Sequence, residues 1–153
     1  MISKKELNQA REIAANLELE GRELLFEKTD EEILSLVNGI GPGWFPESLR
    51  KLINKFNSSL IVPSMIHDLQ WSYGDGTRQH FKESNEQFKR NGYKLADYNY
   101  PWYHRRRYLV RFQSWEFCRL CMKAPGWITY KASVTKRRIE EYEEKIKSMA
   151  VEK

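Results

Sequence analysis

The sequence predicts an all-α fold: a single small helical domain in which an antiparallel helix hairpin carries a His-Asp pair behind a glycine-rich loop. Three observations predict it. Apolar residues recur at helical spacing with little strand-like alternation, as in Leu7, Ala10, Ile13, Ala14 and Leu17. Prolines stand where helices open, and "NGIGPG", "GDG" and "APG" stand where they stop. The 153 residues are enough for one core without metals or disulfides.

Taken in order, the first helix covers 4–19. Thr29 and Glu32 form a capping-box pattern before "EILSLV", a short second helix. Pro46 opens "PESLRKLINKF", and Pro63 opens a helix through Tyr73 that contains His67 and Asp68. A longer helix follows from about Thr77 to Asp97. Pro101 opens another through Met122, and the charged C-terminal stretch from Ser133 is a helix or tail, basic first and acidic later. In domain terms the chain divides into acidic N-terminal helices (1–37), a core (38–128) and a charged C-terminal helix or tail (129–153).

The net charge of +5 is unevenly spread. Residues 1–37 hold nine carboxylates against five bases, so the rest of the chain is strongly basic, most densely in "HRRRYLVRF". That asymmetry points to an anionic partner, phospholipid headgroups or nucleic acid. No apolar run approaches the roughly 18 residues of a membrane span. "MISKKELNQAREIAA" lacks the apolar region of a secretory signal, so the chain is expected in the cytoplasm when synthesised. Cys118 and Cys121 form a C-x-x-C inside a helix, with no second pair and no suitably spaced histidine, so packed thiols are expected there, not zinc.

The hairpin is the informative part. His67 lies seven residues before Gly74 and Asn85 nine after Gly76, so both sit roughly 10–13 Å from the turn. Asn85 shares the apolar stripe Phe81, Asn85, Phe88 that should face the core, and a buried asparagine wants a partner. His67 is the natural one. Trp71 is one turn on and can pack beside the imidazole, while Asp68 points about 100° away. On the hairpin alone a core histidine held by an asparagine explains these residues as well as catalysis does.

Upstream, Gly39, Gly41 and Gly43 alternate in "NGIGPGWFP", which lets carbonyls and amides turn into one concavity of the kind that suits Ca²⁺. Loop "GIGPG" followed by helix "HDLQW" resembles the phospholipase A2 superfamily, closest to its compact disulfide-free type in parvovirus capsid proteins and in phage or bacterial putative phospholipases. The resemblance covers roughly 38–92. It implies a calcium-dependent hydrolase cutting the sn-2 ester of phospholipids. It further implies Gly39, Gly41 and Gly43 carbonyls and the Asp68 carboxylate on Ca²⁺, the Gly41 amide at the oxyanion, and His67 as general base. Trp71 replaces the usual tyrosine. Asn85 replaces the usual aspartate, keeping a hydrogen-bond acceptor and losing its charge, which implies weak catalysis. The alternative is a catalytically impaired lipid-binding or structural protein of the same fold, as in a phage or prophage. A metal-dependent phosphohydrolase would need a histidine ligand before His67, and there is none.

The segment "PWYHRRRYLVRFQSWEFCRLCM" mixes arginines with aromatics. Part of it should be core, and Arg105, Arg106, Arg107 and Arg111 are expected to dock on an anionic bilayer. A nucleic-acid-binding helical domain is a further alternative, weakened because no recognisable nucleic-acid fold accompanies the segment.

Overall fold

A computed structural model describes residues 2–37 and 58–151. The expected helix from Pro46 and the glycine loop lie outside them. All regular structure among the described residues is helical: α1 (Lys4–Asn16), α2 (Leu24–Glu27), α3 (Asp30–Leu36), a 3₁₀ turn (Ser58–Leu60), α4 (Ile61–Ser72), α5 (Arg78–Asn99), α6 (Arg105–Cys121) and α7 (Ala124–Val151). The all-α class is thus observed.

Helix starts follow local chemistry. Both Ser3 with Glu6 and Thr29 with Glu32 close reciprocal capping boxes, the second as the sequence predicts. Thr77 caps α5 through its hydroxyl on the His80 amide. The α4–α5 turn closes through Gly76, whose φ of +82° strains any side chain. α4 starts two residues before Pro63, and α6 begins at Arg105, not at Pro101, because residues 101–104 form a turn capped by His104.

α4 is the central helix, with all its residues except Ile61 and Asp68 buried. One side carries the N-terminal helices: Leu7, Ala14, Leu25 and Ile33 pack with Met65, Ile66 and Leu69. Asn91 of α5 pins that layer, its amide accepting from the Glu20 N–H and donating to the Glu20 carbonyl, both at 2.9 Å. Arg90 adds a two-pronged ion pair to the Glu20 carboxylate. The acidic segment 1–37 therefore shares the core of the hairpin.

α5 and α6 pack closely at Gly92, where an added Cβ would collide with the Ser114 hydroxyl. α7 caps the other end of α4 through Trp127, Tyr130 and Val134, which join Trp71 and Phe81. α7 runs without a break across residue 128, and Tyr130 and Val134 are buried. The C-terminal stretch is one long helix whose first half belongs to the core.

Candidate functional site

The hairpin places its polar residues as the spacing predicts. His67 meets Asn85 and, one turn nearer the loop, Trp71 meets Phe81, so α4 and α5 run antiparallel. The His67 Nε2 lies 2.9 Å from the Asn85 Oδ1. Both side chains are buried.

The orientation of the Asn85 amide follows from its other contact. Its Nδ2 donates to the Phe81 carbonyl at 2.6 Å, an oxygen that also accepts from the Ser84 hydroxyl at 3.0 Å. A flipped amide would set oxygen against oxygen, so Oδ1 must face the ring. Oδ1 can only accept. Nε2 therefore carries the proton in the neutral ring, and Nδ1 keeps the lone pair.

Three rings enclose the imidazole: Trp71 at 4.6 Å between centroids, Phe88 at 5.5 Å and Phe117 at 6.1 Å. Burial in this apolar box pulls the His67 pKa down to about 4, and the Asn85 hydrogen bond offsets only part of that. At neutral pH the ring is an uncharged base. Phe117 is a site residue beyond those expected. Its signal was its place near Ser114 and Cys121 on the buried stripe of α6, read above only as general core.

Asp68 is half-buried on the neighbouring face of α4, close enough to the Cys121 thiol to help hold it protonated. Burial is the main cause there; for Cys118, burial and then Glu86 raise the pKa to about 11. Both cysteines are free, buried thiols, as expected for packing residues. Among the described residues no cluster of three or more His, Cys, Asp or Glu side chains forms a metal site. Of the expected calcium ligands, Gly39, Gly41 and Gly43 lie outside the described residues, and Asp68 alone lies within them. A half-buried carboxylate is a donor of suitable chemistry for Ca²⁺.

Of the four arginines expected at a membrane, the structure separates two from the others. Arg107 and Arg111 turn back onto Asp97 of α5, at 2.9 and 3.2 Å, and Arg111 also lies over the Tyr93 ring at 4.6 Å. Arg105 and Arg106 are exposed. Beside them Trp102, Tyr103, Tyr108, Leu109, Phe112 and Trp115 are 44–72 % exposed, a large apolar patch rimmed by cations. Among the described residues no helix is long and apolar enough to cross a membrane.

Compared with protein-family models, curated proteins and solved structures, the chain finds no match.

Proposed function

We propose that the chain is a phospholipase A2-like hydrolase that works on phospholipid surfaces and is slow because its histidine is oriented by an amide. The observation that carries the reading is the His67–Asn85 contact, with the amide locked by Phe81 so that Nδ1 is the basic nitrogen. A water held at Nδ1 would lose its proton there as it attacks the sn-2 carbonyl, and the same proton would pass to the leaving alcohol. The imidazolium formed between those steps keeps its Nε2–H on the neutral Oδ1 of Asn85. An aspartate would offset that charge and an amide does not. The low basicity of the buried ring acts in the same direction.

Calcium, where bound, would supply Lewis-acid polarisation of the ester carbonyl. Asp68, with the carbonyls of Gly39, Gly41 and Gly43, is the donor set proposed to hold it, and the Gly41 amide would stand at the oxyanion. The exposed aromatic face of α6, with Arg105 and Arg106, supports docking on an anionic interface. A second reading keeps that docking and drops the reaction, favoured by the enclosure of His67 within three rings.

Fatty-acid release from mixed phospholipid vesicles separates the two. The hydrolase reading expects slow release that His67→Ala abolishes and Asn85→Asp raises by about tenfold or more, given that losing such a carboxylate in a serine-protease triad costs about 10⁴. Wild-type vesicle binding without release, unchanged by Asn85→Asp, would leave the lipid-binding reading and remove the enzymatic one.

A further inference from the structure

α7 carries two apolar stripes, roughly 120° apart around its axis. The inner one, Trp127, Tyr130 and Val134, packs onto α4 and α5 and ends near Arg137, which lies over the Tyr73 ring at 5.0 Å. The outer one continues the length of the helix. Ile128, Ala132, Thr135, Ile139, Tyr142, Ile146 and Met149 follow each other at alternating steps of four and three, the spacing of a coiled-coil seam. All are exposed, and the five large apolar ones are 47–67 % exposed. The seam is about 30 Å long.

We propose that this seam pairs with the seam of a second copy of the chain, antiparallel, to form a two-fold dimer. Charge selects both the occupant and its direction. Lys136, Arg137 and Arg138 precede Ile139, and Glu140, Glu141, Glu143 and Glu144 follow it. A parallel pair would set Lys131 against Lys136 and Arg138 against Glu143 on its flanks, and the Asp75 carbonyl already draws the Arg138 guanidinium away from that contact. An antiparallel pair centred between Glu140 and Glu141 sets Ile139 opposite Tyr142 of the second copy, and each basic block against an acidic one. On one flank of that pair Lys136 faces Glu143 of the second copy, and the two-fold axis repeats the contact. The other flank brings Arg138 toward Lys145, but the Arg138 guanidinium donates to its own Asp75 carbonyl at 2.9 Å, which draws its charge off the seam. The self-complementary surface thus needs no other chain. Past Arg138 the helix projects as a segment with almost every residue exposed.

Sedimentation equilibrium of the full chain across a concentration series tests this. The expected mass at high concentration is twice 18.3 kDa. Ile139→Glu with Ile146→Glu should give a monomer with unchanged helical circular dichroism, since both positions are exposed. Glu143→Lys should weaken association by about tenfold, as two attractive flanking pairs become repulsive. Adding Lys136→Glu to Glu143→Lys should restore it. A wild-type chain that stays monomeric, or a dimer that survives the Ile139→Glu, Ile146→Glu change, overturns the seam. Failure of the double charge reversal to restore association overturns the antiparallel arrangement, because only that direction sets Lys136 against Glu143.

Discussion

Acid should destabilise the fold through His67 as pH falls below the ordinary imidazole range. The imidazole is pushed from 6.5 to about 4 by burial, so the unfolded chain binds a proton that the folded chain refuses between those values. Stability from this group is complete above about pH 6.5 and falls as pH drops toward 4. At 1.36 kcal/mol per unit, the full loss is roughly 3 kcal/mol, of which about 2 kcal/mol is gone by pH 5. Urea unfolding of the wild type and of His67→Gln at pH 7 and pH 5 measures it. Glutamine does not titrate and can still donate to Asn85 Oδ1, so its stability should change much less over that interval. Glu6, Glu32 and Glu83 are held below their ordinary values by hydrogen bonds, to Ser3, Thr29 and Arg90 respectively. They act alike in both proteins, so the difference between the two curves belongs to His67. Equal pH dependence in wild type and variant would refute the neutral, enclosed imidazole on which the site rests.

Other outcomes follow from the same geometry. Ca²⁺ should raise the melting temperature of the wild type and not that of Asp68→Ala; an equal shift in both would remove Asp68 from the proposed metal site. Arg105→Gln with Arg106→Gln should weaken binding to anionic vesicles by about tenfold, and added salt should do the same. Arg107→Gln should matter less, because Asp97 already holds that guanidinium. Tighter, salt-sensitive binding to single-stranded oligonucleotides than to vesicles would reassign this face.

The hairpin was legible because two local regularities agree. Helical rise places His67 and Asn85 at one height, and the Phe81–Phe88 stripe turns Asn85 inward; the 2.9 Å contact follows from both. The fate of the arginines was not legible, since Arg107 and Arg111 differ from Arg105 and Arg106 only in the register of α6 against Asp97. Nor was the clamp of Asn91 on Glu20, residues 71 apart in sequence, which no local pattern encodes. The C-terminal helix misled through its composition. Its charges lie along and past the seam, while the few residues that anchor it, Tyr130 and Val134, fall just beyond the expected boundary.

Asn85 does two things that pull against each other. Position 85 sits between a carbonyl that needs a donor and an imidazole N–H that needs an acceptor, and an amide is the side chain of this length that offers both. Aspartate would supply the acceptor in charged form but would turn a carboxylate oxygen toward the Phe81 oxygen, now 2.6 Å from the amide nitrogen. The Asn85→Asp change should therefore cost stability, about 1–3 kcal/mol for the lost donor and the uncompensated charge at high pH. It should also raise the His67 pKa, because a carboxylate stabilises the imidazolium. Asparagine thus favours a well-satisfied hairpin, and the same neutrality keeps the base weak. If the site is catalytic, stability and rate should move in opposite directions on this one substitution. A proton NMR titration of His67 in wild type and Asn85→Asp, run beside the melting curves, tests the link directly. A stability loss with no rise in the imidazole pKa would mean that the carboxylate has turned away or taken up a proton, and that Asn85 serves the fold alone.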